Sequence, residues 1–236
     1  MGEVAAVVQS LPRSGFQGEF HRSLTAQALD DLLTIEELRD VDPDHVLYSE
    51  GDAPSHLYIV LDGHVRLFVI SPETGRRLIF RDARACELLG LASIFSGAVQ
   101  DTTAQVVYPS VIASIRRQDF MNFLLRHPSA YRLAARELSR ESHANAARLR
   151  TICLSHSTQS RLARLLIEWS RSGTWTNRGY RLHIPMTHVE VADCIGVSRE
   201  TVTRSLGGLQ RDRVVELRGS LMTILDMTEL QNRSLG

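Results

Sequence analysis

The spacing of the apolar residues changes at Arg116, and this change most constrains the fold of the chain. Residues 42–115 hold short runs rich in β-branched and aromatic residues, whereas the apolar residues after Arg116 recur at helical spacing. The runs HVLYS, HLYIVL, HVRLFVI, RRLIF, AQVVY and VIASI alternate with the turn-like segments EGDAPS, LDG, SPETG and YPS. Many short strands followed by helices predict an α+β chain that begins with an antiparallel barrel or sandwich.

Residues 129–155 contain no Gly or Pro and predict one long helix. Along it, one set of positions recurs in steps of four and three: Leu138, Ser142, Asn145, Leu149 and Ile152. This heptad spacing is typical of helices that pair with a second copy, and polar residues within such a seam can fix its register. We therefore predict a homodimer joined by this helix. The alternative is a helix packed against its own barrel.

The last part, residues 157–236, has the element order of a winged helix-turn-helix. The run TQSRLARLLIEWSRS predicts an amphipathic helix, and GYRLHIPM predicts a strand or arm that ends at Pro185. Two more helices follow, and RVVELRG and SLMTILDM then predict a hairpin that turns at Gly219 and Ser220. This order predicts a DNA-binding domain.

The two helices before the hairpin carry clear start and stop signals. Thr187 and Glu190 have the spacing of a capping box, in which each side chain accepts a hydrogen bond from the other residue's backbone amide. Gly196 permits the sharp turn that ends the first helix, and Ser198 can cap the second. We therefore expect the second helix to be the reading helix.

The predicted reading helix has two different faces. On a helical wheel with Arg199 at zero, Glu200 and Arg204 fall at about 100° and 140°. The apolar residues lie opposite: Val202, Leu206 and Leu209. Arg can donate two hydrogen bonds to guanine and Glu can accept one from cytosine, so these three polar side chains are the predicted base readers. Ser198 and Thr201 are predicted phosphate contacts. The alternative is a solvated Glu200–Arg204 salt bridge.

The net charge of zero hides an uneven distribution. Residues 1–115 hold 8 Arg and 16 acidic residues, a balance of −8, whereas residues 116–236 hold 19 Arg and 11 acidic residues, a balance of +8. A basic second half predicts a polyanionic partner such as promoter DNA. Residues 157–236 carry only +3, from 11 Arg and 8 acidic residues, which disfavours a non-specific architectural DNA protein.

The sequence also excludes several classes of protein. No run of about 18 apolar residues predicts a membrane span, and the first 20 residues lack the pattern of a secretory signal. We therefore expect a cytoplasmic protein without a membrane partner, with residues 1–22 as a loose lead. The three cysteines, Cys86, Cys153 and Cys194, are far apart and predict no disulfide framework.

Two strings resemble a known family. MTHVEVADCIGVSRETVTRSLGGLQRDRVVEL resembles the helix-turn-helix signature of the CRP/FNR superfamily of bacterial transcription regulators, and EGDAPSHLYIVLDGHVRLFV resembles its barrel motif. The resemblance covers residues 23–230. It implies a cyclic-nucleotide-binding-type β-roll (jelly roll) over residues 23–128, a dimerisation helix over 129–156 and a winged helix-turn-helix over 157–236. It also implies that the chain acts on promoter DNA together with RNA polymerase.

The reading helix is closest to the cyclic-AMP-binding branch of that superfamily. The branch pattern Ser-Arg-Glu-Thr-Val-x-Arg falls on residues 198–204. The resemblance implies a TGTGA-like half-site, repeated as an inverted pair about one helical turn apart. Thr187 and His188 are the remaining expected DNA-backbone contacts, although His188 stands where that branch has an Arg.

The chain departs from the cyclic-AMP pattern at three places, two in the barrel and one on the long helix. Gly90 matches a Gly of the pocket, but Leu91 replaces the expected Glu. Asp101 and Thr102 replace an Arg-Ser pair that would hold the phosphate, and a carboxylate there would repel it. On the long helix, the two positions that touch the adenine are Ala146 and Ala147. We therefore predict a degenerate effector pocket that does not take cyclic AMP.

Other effectors and one other class of protein stay open at this stage. An iron–sulfur cluster is disfavoured because no cysteine precedes Cys86. Haem needs only one or two axial ligands, and Cys86 and His64 lie in the barrel. Redox sensing through Cys194 is a further alternative. A metal-dependent barrel enzyme would need clustered ligands, and His45, His56 and His64 show no such spacing. We expect no resident metal and no catalytic residue.

Overall fold

A computed structural model describes residues 19–154, 157–184 and 186–235, with the backbone alone for 151–154. The chain forms two compact units. The first holds the chain up to Val69 together with Phe80–His143, and the second holds Ile70–Ile79 together with the chain from Ala144 onward. The division near residue 144 falls inside the long helix rather than at its ends. No helix in these described ranges is long and apolar enough to cross a membrane.

The first unit is built on a six-stranded sheet. Its strands are β1 (Glu37–Val41), β2 (Val46–Tyr48), β3 (His56–Ile70), β4 (Arg77–Arg84), β5 (Leu88–Leu89) and β6 (Thr103–Arg116). The sheet order is β1-β6-β3-β4, with β2 paired to β6 and β5 paired to β3. Strand β6 runs antiparallel to β1, β2 and β3. This arrangement confirms the predicted antiparallel roll.

Two turns predicted within this sheet are wrong. LDG lies inside β3 and YPS lies inside β6, because the two strands bend together through bulges instead of reversing. Gly63 lies at the bulge with φ of +101°. A Cβ at this position would lie 2.7 Å from Ser110 Cα. Both the backbone angle and the close approach therefore require glycine.

The helices of the first unit pack on one face of the sheet. They are α1 (Glu19–Arg22), α2 (Ala26–Ile35), α3 (Leu91–Ser96), α4 (Arg117–Arg126) and the first part of α5 (Pro128–Leu154). Helix α2 begins after Thr25, whose hydroxyl accepts a hydrogen bond from Ala28 N at 3.2 Å. The prediction of a loose lead over residues 1–22 is wrong at its end. Phe20 in α1 is only 1% exposed and its ring lies 6.4 Å from that of Phe120.

Helix α5 is 27 residues long, as its lack of Gly and Pro predicted. Of the predicted dimer seam, Leu138 packs partly against the core of the first unit. Ser142 is exposed, Asn145 is half-buried and Leu149 is 51% exposed. The side chain of Ile152 lies outside the described residues. Only the N-terminal end of the seam, at Leu138, therefore packs against the core of the first unit. The described side chains of the rest of the seam lie at the surface.

The second unit combines three central helices with a four-stranded sheet. Its elements are α6 (Thr158–Ser170), β7 (Thr174–Thr176), β8 (Gly179–His183), α7 (His188–Ile195), α8 (Arg199–Arg211), β9 (Val215–Arg218), β10 (Leu221–Ile224) and α9 (Met227–Leu235). The sheet order is β7-β8-β10-β9. Strand β7 and helix α9 were not predicted. Helix α9 begins where Asp226 Oδ1 accepts a hydrogen bond from Glu229 N at 2.8 Å, a capping signal that the sequence contains.

Candidate nucleic-acid interface

The turn between α7 and α8 has the geometry that its sequence predicts. Thr187 Oγ1 accepts from Glu190 N at 3.3 Å, and Glu190 Oε2 accepts from Thr187 N at 2.7 Å, which completes the capping box. Gly196 ends α7 with φ of +68°. Ser198 Oγ then accepts from Thr201 N at 3.3 Å and caps α8. These local bonds fix the direction in which α8 leaves the turn.

Helix α8 buries one face and exposes the other. The buried side chains are Val202, Leu206 and Leu209, at 0%, 3% and 0% exposure. The side chains of Arg199, Glu200 and Arg204 are all exposed. Two guanidinium groups and one carboxylate therefore point away from the core of the unit, as base-reading side chains must.

The salt-bridge alternative for this face is not realised. Within the described part of the chain, no ion pair of 4.0 Å or less involves Arg199, Glu200 or Arg204, whereas the structure contains such pairs elsewhere, as between Arg233 and Asp212 at 2.8 Å. The hydrogen-bonding edges of the two guanidinium groups are therefore not occupied by a neighbouring carboxylate.

Glu200 is held as an acceptor at the start of α8. A hydrogen bond from its own backbone amide, one from the Ser198 hydroxyl and the nearby charge of Arg199 lower the pKa of this carboxyl group. The N-terminal end of a helix also favours a negative charge. Glu200 is therefore ionised at neutral pH and can accept a hydrogen bond but not donate one.

A chain of hydrogen bonds joins α7 to α8 on the same side. Thr203 Oγ1 donates to Arg199 O at 3.0 Å, so it accepts its other bond from His188 Nδ1, which lies 3.0 Å away. Nε2 of His188 is then the ring atom left for an outside partner. Thr203 was missed by the sequence analysis.

The end of α7 is held by two arginines that no sequence signal indicated. Arg148 Nη2 donates to Cys194 O at 3.0 Å, and Arg161 Nη1 donates to Ile195 O at 2.8 Å. Both carbonyls belong to the last turn of α7, where unpaired carbonyls attract cations. The two guanidinium groups therefore fix the position of α7 immediately before the turn into α8.

The predicted wing is present as the hairpin of β9 and β10. Its turn contains Gly219 with φ of +61°, and Ser220 Oγ lies 2.7 Å from His183 Nε2 on β8. At the tip, Arg218 donates to Glu216 Oε1 at 2.7 Å and remains exposed. The hairpin therefore presents a short polar tip supported by the neighbouring strand.

The residues predicted to form a degenerate effector pocket lie in three separate parts of the chain. Gly90 has φ of +79° and precedes the six-residue helix α3. Leu91 is 1% exposed and belongs to the core of the first unit, so this position offers no acceptor for a ribose hydroxyl. Thr102 is buried, and its hydroxyl donates to Asp101 Oδ1 at 3.4 Å. Two further predicted pocket residues are exposed on α5: Ala146 and Ala147.

Each ring nitrogen of His64 lies close to a charged side chain. Nε2 lies 3.0 Å from Asp82 Oδ2, and Nδ1 lies 3.2 Å from a guanidinium nitrogen of Arg84. Burial alone would raise the pKa of Asp82, but hydrogen bonds from His64 and Arg66 outweigh it and lower this pKa to about 2. His64 therefore belongs to a buried polar cluster with Asp82, Arg66 and Arg84. No group of three potential metal ligands occurs among the residues described.

The other cysteines and histidines considered as ligands or redox groups lie at separate positions in the fold. Cys86 is half-buried, and Cys194 is buried with its Sγ 3.6 Å from Met186 Sδ. Cys153 lies in α5, and its side chain is outside the described part. His45 is exposed on the loop before β2, and His56 begins β3.

Comparison with known proteins agrees with this architecture. Residues 38–127 match the cyclic nucleotide-binding domain family, and residues 160–233 match the Crp-like helix-turn-helix domain family. The CRP-like cAMP-activated global transcriptional regulator of Mycobacterium tuberculosis is 24% identical over 191 residues, which cover 80% of this chain and 84% of that protein. The transcriptional activator protein FnrA of Stutzerimonas stutzeri is 28% identical over 205 residues, covering 84% and 80%.

Among solved structures, FixK2 from Bradyrhizobium japonicum superposes with a TM-score of 0.70 at 19% identity, covering 84% of this chain and 96% of that chain. A nucleotide-binding-type β-roll, a long helix and a winged helix-turn-helix together define a DNA-binding transcription regulator. The matched relatives are regulators of this kind and not enzymes. The chain belongs to the CRP/FNR superfamily of bacterial transcription regulators.

Proposed function

We propose that this regulator is a homodimer in which each α8 reads one half of a TGTGA-like inverted repeat. The observation that carries the proposal is the exposed set of Arg199, Glu200 and Arg204, which has no ion pair among the described residues and lies on the outer face of a firmly capped helix. An unpaired guanidinium can bond guanine O6 and N7 together, and an ionised carboxylate can accept from cytosine N4. Each such contact discriminates by about 1–3 kcal/mol against a wrong base.

The DNA backbone contacts in this proposal come from around the helix start. Ser198 and Thr201 lie at the first turn of α8, and Thr187 and His188 lie at the start of α7. Hydroxyl groups and backbone amides at helix N-termini are common phosphate donors that set the register of a protein on the duplex. These four residues therefore position the helix and leave base recognition to the other three.

The dimer in this proposal uses the exposed part of the α5 seam. Ser142, Asn145 and Leu149 share one face of the helix at heptad spacing and lie at the surface of the chain. Two α5 helices packed along this face would place two copies of α8 about a symmetry axis. A symmetric protein of this kind recognises a palindromic site.

The effector in this proposal is not cyclic AMP bound in the manner of the cyclic-AMP branch. Leu91 is buried in the core, and Asp101 stands where the resemblance implies an Arg that holds the phosphate, so its negative charge would repel that group. Titration calorimetry with cyclic AMP tests this part, and we expect no heat of binding. The regulator would act in the cytoplasm at promoter DNA, together with RNA polymerase.

A gel-shift experiment tests the proposal. The full chain is titrated against a TGTGA-type palindrome and against a scrambled duplex of the same length at one fixed salt concentration, because phosphate contacts make DNA affinity strongly salt-dependent. We expect preferential binding to the palindrome with a dimer as the bound species. Equal binding to both duplexes would favour a non-specific DNA-binding protein and contradict the proposal.

A further inference from the structure

A cavity of about 410 Å³ lies in the second unit, beside α6 and the ends of α5, α7 and α9. Its charged lining consists of four arginines and one glutamate: Arg148, Arg161, Arg164, Arg171 and Glu168. The volume is in the usual range for small-molecule sites. The cavity is distinct from the β-roll, where this kind of regulator would otherwise hold an effector.

The positive charge of this cavity is poorly neutralised. Arg148 Nη1 lies 4.0 Å from Glu168 Oε2, and the Glu168 side chain is 65% exposed. In the described ranges, Arg161, Arg164 and Arg171 have no carboxylate within 4.0 Å. Like charges collected at one concave site repel one another unless an anion joins them. The cavity is therefore a region of positive potential.

Capping of α7 explains only part of this cluster. Arg148 and Arg161 use Nη groups to bond Cys194 O and Ile195 O. A guanidinium group has five N–H donors, however, and the Nε atoms of both arginines are buried without an acceptor among the described atoms. Buried donors without partners are rare in folded proteins and often mark a missing ion, water or ligand.

The cavity also has apolar walls, which include Ala147, Leu165 and Ile195. A monatomic or simple inorganic ion would leave these walls uncovered. Planar guanidinium forks match phosphate oxygens in pairs, and several forks on one ligand fit a group with more than one negative charge. We propose that the cavity binds a small phosphorylated organic molecule of about nucleotide size, with the phosphate on the arginines and the organic part on the apolar wall.

The location gives this ligand a route to the DNA-reading helix. Arg161 contacts the last carbonyl of α7, at Ile195, and Gly196 and Ser198 follow directly with the turn and the cap of α8. A phosphate that shares the donors of Arg161 would change how firmly the end of α7 is held. This consequence rests on the proposed DNA-reading function, whereas ligand binding itself does not and is measured without DNA.

The test is titration calorimetry on the full-length chain at constant ionic strength, with pyrophosphate, 5′-AMP and adenosine as probes. We expect pyrophosphate and 5′-AMP to bind and adenosine, which lacks the phosphate, not to bind. Binding of neither anion at millimolar concentration would overturn the proposal, as would equal binding of adenosine and 5′-AMP.

Four variants locate the binding. The exposed Arg171→Gln removes one lining charge and breaks no side-chain hydrogen bond among the described residues. Combined with Arg164→Gln, which also removes the bond from Arg164 Nε to Ser234 O at 2.9 Å, it should weaken binding of both anions at least about tenfold per guanidinium lost. Glu168→Gln removes the one carboxylate among the described lining residues and should tighten binding. Arg132→Gln makes the same charge change at an exposed position of α5 in the first unit and should have no effect.

The variants separate a built site from general electrostatic attraction. If Arg132→Gln weakens binding as much as Arg171→Gln, the anions respond to the charge of the whole chain and the proposal fails. It also fails if Glu168→Gln leaves the affinity unchanged. Thermal unfolding of each variant checks that the fold is retained, and Arg171→Gln alone serves if the double variant unfolds.

Discussion

Arg204→Ala isolates one guanidinium group of the reading face. Arg204 is exposed and has no ion pair among the described residues, so its removal should change the unfolding free energy by less than about 0.5 kcal/mol. Loss of one paired guanine contact should cost about 1–3 kcal/mol in each half-site. At about 1.4 kcal/mol for a factor of ten, this is roughly a 5- to 150-fold weaker contact.

Fluorescence anisotropy with a labelled duplex measures this loss at fixed salt. Wild type and Arg204→Ala are titrated with the palindrome and with a duplex whose half-site guanines are replaced. The variant should lose affinity for the palindrome and keep its weaker affinity for the altered duplex, so that discrimination falls. Arg132→Ala, far along the chain from α8, should behave as wild type. Full discrimination by Arg204→Ala would refute the assignment of Arg204 as a base reader.

Four further substitutions test stability and assembly. Asp82→Asn removes a buried partner of Arg66 and should lower the unfolding free energy by about 3 kcal/mol in urea denaturation. The pKa of Asp82 is lowered from an ordinary 3.8 to about 2, so its contribution to the unfolding free energy is complete above about pH 4 and is lost as the pH falls to about 2. Asp82→Asn should therefore lose less unfolding free energy in acid than wild type, and an equal loss in the two proteins would contradict this. Gly63→Ala should lower the melting temperature, at a cost of about 1–3 kcal/mol, whereas Gly207→Ala in open space within α8 should raise stability by up to about 1 kcal/mol. Leu149→Arg places a charge in the α5 seam and should convert dimers to monomers in analytical sedimentation. An unchanged dimer would exclude this face of α5 as the dimer interface.

The helix-turn-helix could be predicted from the sequence because its determinants are local. The Thr187–Glu190 capping box, the Gly196 turn and the Ser198 cap each act over three or four residues, and the buried face of α8 follows from helical spacing alone. Helical spacing also separates the exposed polar side chains of α8 from its apolar face. The contacts of these side chains with individual bases are predictions.

Features that depend on distant residues could not be predicted in this way. LDG and YPS contain ordinary turn residues, but β3 and β6 pair across them and carry both strands through, with Gly63 facing Ser110. The pairing of Arg66 with Asp82 joins neighbouring strands, and its register is fixed only by the folded sheet. The arginine cavity likewise gathers side chains from α5 and α6, which the sequence presents only as solvated charges.

The central claim is that two symmetry-related copies of α8 read bases through Arg199, Glu200 and Arg204. Selection of bound duplexes from a random DNA pool by the full chain, followed by sequencing, tests it most directly. We predict enrichment of an inverted repeat with TGTGA-like halves about one helical turn apart. Recovery of no motif, or of a single unrepeated motif that Arg199→Ala and Arg204→Ala leave unchanged, would contradict the claim.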